Sequence, residues 1–399
     1  MRFHILGMTH LPVAKQYSSC AYSTKVYRLC KMLLSKGHEV YLYGIEGSDA
    51  PCTEFIQVST LNELREQYGD GDNRFELGYD WHTKFFRHNF DPPYNKQTLT
   101  FFDNTIKEIN KRKKDDDFLL LTQGAQGKII SDGVKLFLTC ESGVGYRGIF
   151  ARFKAFESSF IQNYDYGYKN NGQSANGNNY DVVIPNYFNV EDFKFTKEKE
   201  DYLLYFGRLI NRKGILTANE ISKRTGKKLV VVGQGMKEWT GDKLVGEDFT
   251  ITDCKDRVEY LGYADKDKRS EIMGKASCTI VATDYLEPFG GVSIESLLCG
   301  TPVITTNFGC FPETIPHGKV GYRCQTLDQF VWAAKNIKNI KPEDCREYAV
   351  KNFSLERVSE MYGEWFNSLY HLYLSTFKKG EGWYYINEDR DNLDWLNKY

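Results

Sequence analysis

Of 399 residues, 52 are Lys or Arg and 53 are Asp or Glu, a formal net charge of −1. At about 150 residues per domain the chain forms two or three domains, which excludes a small disulfide or zinc scaffold. The balance of charge excludes the chain-wide basic field that dominates nucleic-acid binding, so no nucleic-acid partner is expected and any anion site must be local.

Hydrophobic residues make up 41% and charged residues 26%, the composition of a folded globular chain. No stretch approaches the roughly 18 apolar residues of a membrane helix, and no transmembrane segment is expected. The first apolar run, Phe3 to Met8, has no basic flank and no small-residue cleavage site, so it reads as a strand and not as a signal peptide. Ten cysteines stand at 20, 30, 52, 140, 254, 278, 299, 310, 324 and 345, without a Cys-x-x-Cys pair or a His pair at metal spacing. Reduced thiols in a cytoplasmic setting follow, and Asn352-Phe353-Ser354, a glycosylation triplet by pattern, carries no weight there.

Phe3 to Gly7 opens the chain as a strand, and Tyr22, Val26, Leu29 and Leu33 then recur at helical spacing until Gly37 stops the helix. Val40 to Tyr43 follows as a second strand, which completes a βαβ unit and predicts a parallel sheet covered by helices. From about 60 to 95 the period is lost, and Gly69-Asp70-Gly71-Asp72-Asn73 and Asp91-Pro92-Pro93 predict an irregular insertion. Leu99, Phe102, Ile106 and Ile109 restore a helical stripe. The run Lys111-Arg112-Lys113-Lys114-Asp115-Asp116-Asp117 is expected to be its solvated end, since basic residues suit a helix C-terminus. Phe118 to Leu121 and Leu136 to Thr139 read as strands. Asn163 to Tyr180, with six Asn and three Gly, reads as a mobile loop, and Asp181 to Asn186 closes this half.

Beyond a charged link around Lys194 to Asp201 the alternation resumes. Tyr202 to Phe206, Lys228 to Val232, Val258 to Leu261, Thr279 to Ala282 and Pro302 to Thr305 read as strands, with helices from Ile215 and through Leu297. Two doubly wound α/β units in tandem result: a Rossmann-like domain over residues 1–190 and another over 191–375. The long stripe Leu355, Val358, Tyr362, Trp365, Leu369 and Leu372 is a helix long enough to cross back to the first domain. The tail 376–399 keeps Trp383, Tyr384, Tyr385, Trp395 and Leu396, anchors expected to dock it on the first domain.

Open parallel sheets bind ligands beyond the carboxyl ends of their strands. There Phe206-Gly207-Arg208 runs into Asn211-Arg212-Lys213-Gly214 and a helix, and a guanidinium fork beside a lysine point charge suits a diphosphate. Two merely solvated cations at that place would oppose the helix dipole, so an anion site is the preferred reading. Val232-Gly233-Gln234-Gly235 lets a backbone approach a ligand, although a plain tight turn fits equally well. The densest cluster is Glu287-Pro288-Phe289-Gly290-Gly291-Val292-Ser293-Ile294-Glu295. Its glycines open a helix with unpaired N–H groups, and its two glutamates flank one ligand position. Taken singly, Glu287 reads as a dipole partner and Glu295 as a solvated residue; with Arg208 and Lys213 on a neighbouring strand exit, a shared site is the better account.

At these residues the chain resembles retaining glycosyltransferases of the GT-B fold, in the large family 4 that uses nucleotide-diphosphate sugars. The resemblance rests on Gly207-Arg208-Leu209 with Lys213-Gly214, on Glu287 and Glu295, and on Ile184-Pro185-Asn186 before the link. It is strong from about 180 to 320 and reduces near the N-terminus to the first βαβ unit with its Gly37-His38-Glu39-Val40 turn. The aromatic, lysine-rich character is also similar to a glycosyltransferase encoded by a large algal virus, which would place the protein in a host cytoplasm.

The resemblance implies that Arg208 and Lys213 hold the diphosphate and stabilise it as it leaves, and that Glu287 binds donor-sugar hydroxyls. Gly290 and Gly291 would offer backbone donors and Glu295 would bind ribose hydroxyls. Leu261-Gly262-Tyr263 would border the base, and Gly207, Gly233 and Gly235 complete the donor set. The first domain would take a glycan or glycoprotein acceptor and the second the donor. No cofactor and no metal are expected, because no Asp-x-Asp triplet ends a strand; Asp265-Lys266-Asp267 reads as a helix start. The chain departs from the family in its first loop, Gln16-Tyr17-Ser18-Ser19-Cys20, which lacks a glycine pair. It departs again at Glu141, where members often carry His. Glu141 is left open between a sugar or acceptor contact and a structural role, and His10 is read as structural in preference to a sugar contact. The rival functions are a GT-B nucleotide-sugar epimerase or hydrolase, and a non-catalytic nucleotide-sugar binder.

Overall fold

Two parallel sheets, each with its own apolar core, organise the chain in the computed structural model, which describes residues 1–17, 20–68, 91–169 and 176–384. The first half runs β1 (Arg2–Leu6), α1 (Ala21–Ser35), β2 (Glu39–Ile45), β3 (Glu54–Ser59), α2 (Leu61–Tyr68), α3 (Lys96–Arg112), β4 (Phe118–Leu121), α4 (Ala125–Val134), β5 (Leu138–Val144), β6 (Phe153–Phe156), α5 (Ser159–Lys169) and β7 (Val182–Val183). Its sheet order is β3-β2-β1-β4-β5-β6-β7. Strands buried on both faces have no polar side to show, and Phe118 to Leu121 is accordingly apolar and buried at every position.

The second half contains β8 (Tyr202–Phe206), α6 (Ile215–Thr225), β9 (Lys228–Val232), β10 (Glu238–Trp239), β11 (Lys243–Val245), β12 (Thr250–Thr252), β13 (Val258–Tyr260), α7 (Lys266–Lys275), β14 (Cys278–Val281), α8 (Gly291–Leu298), β15 (Val303–Thr306), α9 (Phe311–Thr314), β16 (Gly321–Cys324), α10 (Leu327–Asn336) and α11 (Pro342–Phe353). Its parallel sheet has the order β13-β9-β8-β14-β15-β16, with β10-β11-β12 as a separate antiparallel flap between β9 and β13. In both sheets the order reverses beside the first strand, at β1/β4 and at β8/β14. A doubly wound sheet opens its ligand crevice at that reversal.

The chain crosses between the halves twice, near Phe188 and again at Ser354, and the crossings are bonded to each other. Phe188 N donates to Phe353 O at 2.9 Å and Leu355 N to Phe188 O at 2.9 Å. The last helix, α12 (Leu355–Leu374), then packs Val358, Tyr362, Trp365, Phe366 and Leu369 into the core of the first half, as the apolar stripe predicts. Trp365 Nε1 also donates to Tyr180 O at 2.7 Å. Beyond it, Phe377 packs edge-on against Phe137 and Trp383 against Tyr180, both in the first half. Tyr385, Trp395 and Leu396 lie outside the described residues.

Four local expectations are corrected. Residues 61–68, read as irregular, form α2, where Ser59 and Thr60 bond Glu63 at the start of the helix; residues 69–90 lie outside the description. Residues 163–169, read as loop, continue α5, and 170–175 again lie outside. In α3 the buried face is carried by Phe101, Phe102, Thr105 and Ile109, while Leu99 is exposed. The Lys/Asp run is not solvated throughout: Asp117 is buried, accepts from Lys114 N at 2.8 Å, and meets His4 Nε2 at 3.0 Å and Arg2 Nη1 at 3.2 Å. A buried carboxylate needs such partners, and these come from β1 next door.

Candidate active site

At the carboxyl end of the second sheet the exits of β8, β9 and β13 lie against one another. Gly207 N donates to Val232 O at 3.0 Å, Leu209 N to Gln234 O at 2.8 Å and Gly233 N to Gly262 O at 2.9 Å. A side chain at Gly233 would place its Cβ 1.7 Å from Gly207 O, so this close approach requires glycine. Gly207, Gly233 and Gly262 therefore form one backbone-lined wall, with Gly235 and Tyr263 beside it.

From β8 the chain passes Arg208, exposed at the mouth of the cleft, into a 3-10 turn at Asn211–Lys213. That turn is fastened to the exit of β14: Arg212 O accepts from Asp284 N at 3.0 Å and from Thr283 Oγ1 at 2.9 Å. Gly214 closes the joint at φ +82°, where a Cβ would stand 2.0 Å from Ala282 O. The consequence is that Lys213 Nζ meets Glu287 Oε1 in an ion pair. Lys213 Nζ also lies 4.7 Å from the Tyr285 ring centre, and Arg212 Cζ lies 5.0 Å from it. The Lys213 and Glu287 side chains keep 26% and 14% of their exposure, open enough to meet a ligand. Glu287 O accepts from Cys310 N at 3.0 Å, so its backbone is held from the β15–α9 loop.

Gly290, at φ +70°, starts α8, with Gly291 as its first residue. Glu295, one turn on, is bound by Arg269 of α7, whose Nη1 lies 3.1 and 3.3 Å from its two oxygens. Arg269 in turn lies over Phe206. Across the cleft, burial pushes the Arg28 guanidinium of α1 below its ordinary value, and the charges of Glu295 and Asp192 oppose that shift.

The first half presents its own strand exits to the same space. A cavity of about 180 Å³ is lined by Tyr22, Asp91, Gln123, Ala125, Tyr146 and Arg147. Burial raises the Tyr22 phenol to about 12, reinforced by Glu157 and Tyr285 and opposed by Arg208, which places both halves within one electrostatic field. Lys25 and Glu157 form an ion pair beside Tyr22, whose ring centre lies 5.4 Å from Lys25 Nζ. Glu141 is fully buried, and its Oε2 accepts from Phe150 N and Ala151 N, both at 2.8 Å. Burial pushes its carboxyl up to about 7. Glu141 thus holds the loop that carries Tyr146 and Arg147. His10 is buried after β1, with Nε2 3.8 Å from Cys20 Sγ. A larger cavity, of about 480 Å³, touches Tyr202 and Lys228 at the amino ends of β8 and β9 and takes in none of these residues.

The structure therefore joins Lys213 to Glu287, brings the charge of Arg208 to bear on Tyr22, and gives Glu295 to Arg269. Asp265 caps α7 through Lys268 N at 3.0 Å, the helix start that its spacing predicts. Sequence reasoning missed Tyr285, Arg212, Arg269 and the Lys25–Glu157 pair. An aromatic two places before a strand-exit glutamate was a readable signal for Tyr285; nothing local marks a pair 132 positions apart.

Residues 188–352 match the family described as Glycosyl transferases group 1. The chain is 26% identical over 200 residues to N-acetyl-alpha-D-glucosaminyl L-malate synthase of Bacillus anthracis, covering 48% of this chain and 46% of that one. It is 30% identical over 136 residues to glycogen synthase of Mycobacterium tuberculosis, covering 32% and 30%. It spans less than half the length of these curated relatives. Sucrose-phosphate synthase from Thermosynechococcus elongatus superposes with a TM-score of 0.65 at 16% identity, over 93% of this chain and 99% of that one. Anabaena HepE in complex with UDP-glucose gives 0.58 at 16%, over 92% and 100%. The fold is GT-B, two Rossmann-like domains facing across a cleft, and the group 1 glycosyltransferase match falls on the second. Among the described residues no helix is long and apolar enough to cross a membrane.

Proposed function

We propose that this protein is a retaining, metal-independent glycosyltransferase that moves a hexose or deoxyhexose from a GDP- or UDP-linked sugar to a carbohydrate or glycan acceptor. The observation that carries the reading is the Lys213–Glu287 pair at the β8/β14 reversal, with the exposed Arg208 leaving the same strand. The group 1 match and the likeness to HepE in complex with UDP-glucose support a nucleotide sugar as donor. The ten unpaired cysteines support a reducing, cytoplasmic setting.

In this reading residues 1–190 bind the acceptor and 191–375 the donor. The diphosphate sits against Arg208 and Lys213, the sugar hydroxyls against Glu287 and the amides at Gly290 and Gly291, and the ribose near Glu295. As the anomeric C–O bond breaks, its electron pair goes to the diphosphate oxygen, and fixed positive charge stabilises it without reorganising. The acceptor oxygen forms the new bond on the same face, and its proton passes to the departing diphosphate. Glu287 steadies the positive charge that develops on the sugar. Arg208 and Lys213 supply the charge that a divalent ion supplies elsewhere.

The test is a melting-temperature panel of UDP-, GDP-, ADP- and dTDP-sugars, followed by product analysis with oligosaccharide acceptors. A ligand at 100 times its Kd stabilises by about 2.7 kcal/mol, which such a panel resolves. A lengthened acceptor supports the reading. An epimerised or hydrolysed sugar without an acceptor product, or binding without turnover, would overturn it.

A further inference from the structure

The two halves also bond directly to each other beside Glu287. Ser158 Oγ, in the first half, donates to Pro288 O at 2.5 Å, one residue from Glu287. In the opposite direction the Glu313 carboxylate of α9 accepts the first amides of α5, Ser159 N at 2.8 Å and Phe160 N at 3.0 Å. A carboxylate at a helix N-terminus satisfies orphan donors and meets the positive end of the dipole. α9, which carries Glu313, starts directly after Cys310, whose N holds Glu287 O, and Glu313 N itself donates to Cys310 O at 3.1 Å. The bonds form a closed circuit: Glu287 to Cys310, Cys310 to Glu313, Glu313 to the start of α5, and Ser158 back to Pro288. Glu157, next in the chain to Ser158, packs against Gly145, which in turn adjoins Pro288.

We propose that Ser158 and Glu313 are positioning residues, a two-way clasp between the halves that places the Glu287 turn against the first half for reaction. Ser158 and Glu313 act on the Glu287 turn through the Pro288 and Cys310 backbone bonds. The clasp engages where the two halves meet, as Ser158–Pro288 and Glu313–α5 do here, and couples that contact to the placement of the sugar-binding carboxylate. This rests on the transferase reading of Glu287, whereas the clasp itself is a matter of two backbone amides and one hydroxyl.

The experiment has two arms. Without ligand, hydrogen exchange is followed in the peptide over residues 157–162 for the wild type, Ser158→Ala, Glu313→Ala and Glu313→Gln. Steady-state rates and the Kd of the free nucleotide, UDP or GDP as the panel indicates, are measured for the same proteins. Glu313→Ala is expected to speed exchange about tenfold and to lower kcat about tenfold with nucleotide Kd unchanged. Glu313→Gln keeps one acceptor oxygen for the two amides and should recover part of both. Ser158→Ala should lower kcat alike, and the double variant should lose little beyond the worse single, since either change opens the circuit. Exchange unchanged in Glu313→Ala overturns the clasp. Faster exchange with kcat unchanged, or a nucleotide Kd that weakens in step with kcat, overturns the positioning role. A wild type that turns over no donor overturns the transferase reading, and the positioning role with it, while the exchange arm still reports on the clasp.

Discussion

Lys213 and Glu287, 74 positions apart, meet in one ion pair because β8 and β14 are hydrogen-bonded neighbours whose exits share the Arg212 carbonyl. A cation and a carboxylate placed this way neutralise each other, and in the proposed reading a diphosphate and a sugar divide them. The pairing also means that altering either residue changes the state of the other.

Lys213→Ala and Arg208→Ala should each weaken binding of a nucleoside diphosphate by about 1.5–3 kcal/mol, the worth of a charge-assisted hydrogen bond. Binding of the nucleoside alone should hardly change. Titration calorimetry of both ligands on both variants checks this, and equal losses for nucleoside and diphosphate would remove the anion site from these residues.

Glu287→Gln keeps the shape of the side chain and one acceptor but removes the charge that faces the reacting sugar. We expect kcat to fall at least about a hundredfold, or roughly 2.7 kcal/mol of transition-state stabilisation, with donor Kd within a few-fold. Losing the charge of one partner in this partly buried ion pair should cost about 1 kcal/mol of stability. A normal kcat beside a lowered melting temperature would leave Glu287 as a helix-dipole partner only.

Glu141 makes stability depend on pH. Burial raises its carboxyl from 4.5 to about 7 in the fold, so between those values the folded chain holds the proton that the unfolded chain has released. The contribution is complete below about 4.5 and lost as pH rises through 7, on the order of 3 kcal/mol in total. Lys154 and Lys169 oppose the shift and Tyr146 lies nearby, so the slope belongs to that group of charges. Urea unfolding from pH 5 to 8 should show Glu141→Gln losing less stability than the wild type across the range. Parallel curves would show that Glu141 does not titrate there.

Gly214→Ala and Gly226→Ala test the joint that brings Lys213 to Glu287. Both glycines have positive φ, +82° and +70°, but a Cβ at 214 would lie 2.0 Å from Ala282 O while at 226 it meets nothing within 4 Å. Gly226→Ala should cost about 1–2 kcal/mol, the left-handed penalty alone. Gly214→Ala should cost more than that and also weaken nucleotide binding. Thermal melts with and without nucleotide separate the two, and equal losses would show that the joint yields.

Much of this protein could be read along the chain. Alternating apolar runs and helical stripes mark both sheets because a buried parallel strand must be apolar at successive positions, as at Phe118–Leu121 and Leu229–Val232. Strand-exit glycines with Arg208, Lys213, Glu287 and Glu295 mark the cleft because close backbone approach demands glycine and the proposed anion site demands cations. What only the tertiary structure decided is who meets whom. Asp117 sits in a run of charges that suits a solvated helix end, yet the neighbouring strand supplies His4 and Arg2 and it is buried. Lys25 and Glu157, Arg269 and Glu295, and Glu313 and the first amides of α5 likewise meet across elements that carry no mutual signal. Periodicity and turn chemistry are local and can be read residue by residue, whereas a charge or a hydrogen bond takes its partner from the order of strands and the packing of two domains.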